Sequence, residues 1–200
     1  MQVRAFNPES TPKPSRAEGL PARILERLEI EIGCGVGMHP LQHAAQNSAT
    51  SFIALEHTHE RFGKFQRSYE AKADLLQNLH PRHANAVSWI SHHVGPESVD
   101  HYWILYPNPN PKKKHRNLRW HAMPFAQYLV KTLKKGGRIT VATNLKFYAD
   151  EAIQDWQQLH GLKLIESTEL VLGAAPRTHF EKKYLERGET CFNMVFERPY

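Results

Sequence analysis

Leu28-Glu29-Ile30-Glu31-Ile32-Gly33-Cys34-Gly35-Val36-Gly37 is a short apolar run that ends in three alternating glycines. The run, residues 28–32, predicts a strand, and the glycines predict a sharp turn into a helix. Gly33 and Gly35 can take backbone angles closed to other residues, so the chain can approach a ligand where a Cβ would collide. Glu56 closes a second apolar run, residues 51–56, and stands 56 − 37 = 19 residues after Gly37. A carboxylate there can accept from both hydroxyls of a ribose. A loop of the form G-x-G-x-x-G sets a helix N-terminus against a pyrophosphate. This one is G-x-G-x-G, preceded by Glu31 and followed by Pro40, and its acid would repel a pyrophosphate.

Outward from this loop, short apolar runs alternate with amphipathic ones. Residues 59–79 predict a helix, because Phe62, Phe65, Tyr69, Ala73 and Leu76 recur at three- and four-residue steps. Residues 86–91 predict a third strand and residues 101–106 a fourth. Residues 124–135 predict a helix with Leu129, Val130 and Leu133 inward, stopped by Gly136-Gly137. A fifth strand over 138–143 and a helix over 147–160 follow. Residues 162–172 and 191–198 predict two last strands, joined by a basic linker without a helix and therefore antiparallel. The pattern is an α/β doubly wound sheet of seven strands with an antiparallel terminal hairpin, whose ligands lie beyond the strands' carboxyl ends. Residues 1–22 hold Pro8, Pro12, Pro14 and Pro21 and little that could pack. They predict a flexible arm ahead of one domain, residues 23–200.

Composition limits what such a domain can be. The 200 residues have the size of one domain, and 40% hydrophobic with 23% charged residues suits a packed chain rather than a disordered one. No apolar run approaches the ~20 residues that cross a bilayer, and the proline-rich start has no apolar core of a secretory signal. Two cysteines cannot build a disulfide framework and point to reducing cytoplasm. Lys and Arg exceed Asp and Glu by 26 − 20 = 6, which favours a polyanionic partner, nucleic acid first. Histidines at 57, 59, 80, 83, 92, 93 and 101 invite a metal reading, but Cys34 and Cys191 are far apart and no cysteine pair has zinc spacing, so no metal is expected.

A second motif follows the fourth predicted strand: Tyr106-Pro107-Asn108-Pro109-Asn110-Pro111-Lys112-Lys113-Lys114-His115-Arg116. Its prolines stiffen a loop, and its cations, with Arg119, suit a phosphate backbone. The E-x-G-x-G-x-G loop resembles motif I of class I S-adenosylmethionine-dependent methyltransferases, where Glu31 would meet the cationic amino-acid end of the cofactor. The proline-lysine run resembles F-P-D-P-W-P-K-K-R-H of the tRNA (guanine-N7-)-methyltransferase family. Val141-Ala142-Thr143-Asn144 resembles that family's A-T-D, and Thr178-His179-Phe180-Glu181 its T-x-F-E. The likeness runs from Leu28 to Arg198. It implies methylation of guanine 46 in the tRNA variable loop, in the cytoplasm, by a monomer or homodimer. Cofactor contacts would fall on Glu31, Gly33, Gly35, Gly37, Glu56, His57, His92 and Asn108, with Asn108 also at the reacting centre. Substrate contacts would fall on Lys112, Lys113, His115, Arg116, Asn144, Arg177, Thr178 and Glu181.

Three family acids are replaced. The proline-loop aspartate is Asn108, the A-T-D aspartate is Asn144, and the acid after strand three aligns with His92; the loop tryptophan is Asn110. Guanine N7 has a lone pair and no proton, so its methylation needs alignment rather than a base. The product purine is a cation, and a carboxylate beside it would stabilise the developing charge, which Asn108 does only through its amide carbonyl. Two other readings stay open: a different RNA or amine substrate held by the Asn-Pro loop, and a binding protein without turnover.

Overall fold

The computed structural model describes residues 5–14 and 18–200 and has seven strands in one sheet. They are β1 (Arg27–Ile32), β2 (Thr50–Glu56), β3 (Leu79–His83), β4 (Val99–Leu105), β5 (Leu133–Thr143), β6 (Lys163–Leu170) and β7 (Cys191–Glu197). The helices are α1 (Met38–Gln46), α2 (His59–Glu70), α3 (Ala86–His93), α4 (Phe125–Thr132), α5 (Lys146–Gln158) and α6 (His179–Glu186). Strand order is β3-β2-β1-β4-β5-β7-β6. The first five strands pair in parallel, and β7 runs antiparallel to both β5 and β6. This is the doubly wound sheet with a terminal hairpin that the sequence predicts. Order reverses between β1 and β4, and a crevice opens there beyond the carboxyl ends of the strands.

Alternation along β1 places the site. Leu28, Ile30 and Ile32 face a core with Trp89, Tyr102, Ile104 and Phe125. Glu29 and Glu31 face the other side and are buried as well, under α1. Buried carboxylates need partners, and α1 supplies them at a four-residue step. His39 Nδ1 lies 2.8 Å from Glu31 Oε2, and His43 Nε2 lies 3.0 Å from Glu29 Oε2. Trp103 Nε1 also donates to Glu29 at 2.8 Å. Burial alone would push the Glu29 carboxyl up; His43, His101 and Trp103 reverse this and hold it at about 2.

The structure corrects several boundaries. Residues 86–91 are the helix α3, not a strand: Asn85 Oδ1 accepts from Ser88 N at 3.1 Å and caps it, and Trp89 and Ile90 pack inward. The third strand is Leu79–His83, with one apolar residue and Pro81, which its edge position tolerates. α2 ends at Glu70, well before residue 79. Gly136 and Gly137 lie inside β5, where Gly136 N donates to Arg198 O and Arg198 N to Gly137 O. The linker before β7 contains α6. Part of the proposed arm packs on the domain: Phe6 meets Phe125 edge-on at 5.1 Å, and Trp89 Nε1 donates to Glu18 O.

Gly37 stands in the left-handed region, and a Cβ there would lie 2.0 Å from the Phe65 ring. Gly37→Ala is expected to destabilise the fold by roughly 2–4 kcal/mol through backbone strain and overpacking, read as a fall in the urea midpoint.

Candidate active site

A cavity of about 930 Å³ occupies the crevice. One half is built from the glycine loop and the ends of β1 and β2. Gly33 and Gly35 have φ of 76° and 61°, and a Cβ on either would meet nothing within 4 Å, because both face the cavity. Gly33 N and Cys34 N both donate to Leu55 O, at 2.8 and 3.0 Å. Glu56, at the end of β2, accepts from Gly35 N at 2.9 Å and Thr58 N at 2.6 Å, so its carboxylate fixes the loop it faces. Glu31 lines the cavity with its partner His39. Cys34 is buried, and its thiol is pushed up by that burial first and then by the charges of Glu31 and Glu56, so it stays protonated.

The opposite half is built from the proline loop and the start of α6. Tyr106 and Asn110 take left-handed angles, φ 52° and 44°, at its two ends. Between them, Asn108 Oδ1 accepts from Asn110 N at 3.1 Å, a turn closed by the side chain. Arg119 is buried behind the loop. Its guanidinium donates to Asn110 O at 3.0 and 3.2 Å, pairs with Glu151 and lies 5.2 Å over the Phe147 ring. Arg119 is therefore the clamp that shapes the loop. Thr178 Oγ1 accepts from Glu181 N at 3.0 Å and caps α6, which sets Thr178, His179 and Phe180 on the cavity wall. Arg61 of α2 stands over Phe180 at 5.7 Å across the mouth.

Of the residues singled out in the sequence, Glu31, Gly33, Gly35, Glu56, His57, Asn108 and Thr178 line this cavity. Gly37 lies behind it against Phe65. Others stand elsewhere. His92 is at the end of α3, bonded to Thr11 O at 3.0 Å; with the third strand at Leu79–His83, the residues after it that line the cavity are Ala84 to Val87, and Asn85 is the polar one among them. Arg116 donates to both oxygens of Asp155, at 2.7 and 2.6 Å, and anchors the loop rather than facing out. His115 is half-buried outside the cavity, while Lys112 and Lys113 are exposed beside it. Asn144 Nδ2 donates to Glu189 at 2.7 Å, away from the cavity.

Glu181 is fully buried and already satisfied. It accepts from Arg177 Nη2 at 2.6 Å, Arg177 N at 2.6 Å and Tyr106 Oη at 2.7 Å, so it ties α6 to the proline loop. Burial pushes its carboxyl up, and Arg177 with Tyr106 outweighs that and holds it below the usual range. Among the described residues, the carboxylates lining the cavity are Glu31 and Glu56, both in the glycine-loop half. The other half presents amide, hydroxyl, aromatic and cationic groups. His39, Asn85 and Arg61 are cavity residues that motif reading passes over. Among the described residues, no three His, Cys, Asp or Glu are grouped to hold a metal ion, and no helix is long and apolar enough to cross a membrane.

Residues 26–194 match the family described as putative methyltransferase, Methyltransf_4. The chain belongs to that family. As a methyltransferase it has relatives named tRNA (guanine-N(7)-)-methyltransferase. The one from Xanthomonas oryzae pv. oryzae is 29% identical over 175 residues, 84% of this chain and 68% of the relative. That of Rhizobium meliloti is 28% identical over 197 residues, 94% of this chain and 81% of its own. Among solved structures, the 16S rRNA methyltransferase KamB superposes with a TM-score of 0.65 at 18% identity, covering 92% of this chain and all of that one. A methyltransferase from Pyrococcus furiosus gives 0.63 at 14% identity, covering 86% of this chain and 75% of its own. These two likenesses are of fold.

Proposed function

We propose that this enzyme transfers the methyl group of S-adenosylmethionine to guanine N7 of tRNA, at guanine 46 of the variable loop. The observation that carries the reading is one cavity with an acidic, glycine-lined half facing a neutral to basic half. The cofactor fits the acidic half: the space before Gly33 and Gly35 is where a Cβ would intrude, Glu31 suits an ammonium, and Glu56 suits ribose hydroxyls. S-adenosylmethionine bound there supplies a methyl group on a sulfonium.

The chain's own residues then do three things. Glu31 and Glu56 fix the donor. The loop held by Arg119 and by the Tyr106–Glu181 bond fixes the wall the base must meet. The basic surface beside it, with exposed Lys112 and Lys113, attracts the RNA backbone. N7 carries no proton, so no side chain needs to accept one. The relatives' names support tRNA and guanine N7. The free, buried cysteines accord with a reducing cytoplasm.

Labelled methyl transfer to unmodified tRNA, with nucleosides identified by mass spectrometry, tests the reading. 7-Methylguanosine is expected; another methylated nucleoside would overturn the substrate assignment, and no transfer by folded protein would overturn the activity. Asn108→Asp preserves the side-chain turn to Asn110 N and restores a charge near the base. It is expected to raise the rate on guanine by about tenfold, part of the ~10²–10³ that one such electrostatic contact commands. A slower variant would point to a substrate that uses the amide.

A further inference from the structure

A second cavity, of about 950 Å³, adjoins the first across His57, Ala84, Asn85 and Val87. Its outer wall is Thr11, Pro12, Lys13 and Pro14, seated on α3 by Ser88 bonding to Pro12 O and His92 to Thr11. Its inner wall, at the ends of β2 and β3, carries His57, His59 and His83. The His59 and His83 rings are 5.5 Å apart, and His83 stacks on Phe62 at 5.0 Å and 17°. His83 Nε2 donates to His57 O at 3.1 Å.

The charge balance of this wall is one-sided. Its ionisable groups are three imidazoles and the Lys13 ammonium, and among the described residues no carboxylate lines it. The acids next in sequence to His57 and His59 are engaged: Glu56 by the amides of Gly35 and Thr58, and Glu60 by Lys64 on the same helix; Glu18 pairs with Arg82. Arg61 adds positive charge on the α2 side of the first cavity. The imidazoles are not grouped to hold a metal. Cations gathered in one concavity repel each other when charged, and a bound anion removes that cost and draws protons onto the imidazoles. Asn85, whose Oδ1 caps α3, adds its Nδ2 as a donor suited to phosphate oxygens.

We propose that the second cavity is a phosphate-binding site that holds the RNA backbone beside the glycine-loop half of the first cavity. The phosphate's belonging to RNA rests on the substrate reading above; the cavity's taste for phosphate does not. An imidazolium attracts phosphate where a neutral imidazole does not, so its affinity rises as pH falls.

The test uses His59→Asn/His83→Asn and Lys13→Ala, with unmodified tRNA and with inorganic phosphate as probes. Filter binding across a salt series at about pH 6 and about pH 8 should show wild-type protein binding tRNA more tightly at the lower pH. The double variant should lose about threefold or more of that ratio, and Lys13→Ala should reduce the slope of log affinity against log salt by about one. S-adenosylmethionine affinity, read by calorimetry, should stay unchanged in both. Inorganic phosphate should shift the His59 and His83 imidazole NMR signals of the wild type. If the variants kept the full pH ratio and salt slope, the RNA assignment would be overturned even with the phosphate shifts present. If those shifts were absent too, the site itself would be overturned. Weakened tRNA binding in the variants, in a protein that methylates no RNA, would support this site and overturn the catalytic reading alone.

Discussion

Glu56→Ala is expected to weaken S-adenosylmethionine binding by roughly 10²–10⁴, the largest loss from any single change in the cofactor half. The carboxylate is 5% exposed and sits at the end of β2 with one oxygen on Gly35 N and the other on Thr58 N. Each oxygen keeps a lone pair for a ribose hydroxyl. A hydrogen bond to a charged group contributes about 1.5–3 kcal/mol, so two contribute about 3–6. At ~1.4 kcal/mol per decade this gives the stated range. The truncation also frees the Gly35 amide, so the loop loses its anchor together with the ligand contact. Glu56→Gln keeps an oxygen for one amide and should fall between the two. Calorimetric titration reads both, with circular dichroism to show that the fold persists. Affinity within about threefold of wild type in Glu56→Ala would remove Glu56 from the cofactor site.

The parts of this site that motif reading reached are those carried on strand ends. Glu31 and Glu56 stand at the ends of β1 and β2, the glycine loop and Asn108 come just after β1 and β4, and parallel pairing brings those ends to one edge whatever the intervening helices do. The third strand was the hard element. Leu79-His80-Pro81-Arg82-His83 has no apolar alternation because it is an edge strand, while Ala86-Val87-Ser88-Trp89-Ile90 mimics one. Misplacing the strand by one element moved the expected cavity residue from Asn85 to His92.

The basic run illustrates a different limit. Arg116 and Arg119 look like neighbours of Lys112 and Lys113, yet Asp155 and Glu151, on α5, take their charges. Partners over 30 residues away in sequence are set by packing, not spacing. One internal signal was available: Arg177 and Glu181 are four apart on either side of a capping Thr178, the spacing of an ion pair at a helix start.

That pair carries the second large effect. Arg177→Met is expected to destabilise the protein by about 3–5 kcal/mol, since it strands a carboxylate that has no exposed surface. Arg177 also donates Nη1 to Asn193 Oδ1 at 2.8 Å, so the loss reaches β7 as well as α6. The pH dependence follows from the direction of the Glu181 shift. Its carboxyl is held below the usual range in the fold, so the unfolded chain binds the proton more readily. The stabilisation is therefore complete above the ordinary glutamate value near ~4.3 and drains away as pH falls through the lower folded value. Urea unfolding at pH 7 and over the acid range should show wild-type stability falling below about pH 5, with a shallower fall in Glu181→Gln, which has no such proton to gain. Glu181→Gln retains an oxygen for Tyr106 and should leave cofactor affinity unchanged, because Glu181 lies off the cavity wall. Equal acid slopes in the two proteins would mean that this pair is not what acid breaks. A large fall in methyl transfer by Glu181→Gln with RNA affinity intact would assign the Tyr106–Glu181 bond a share in positioning the proline loop for reaction.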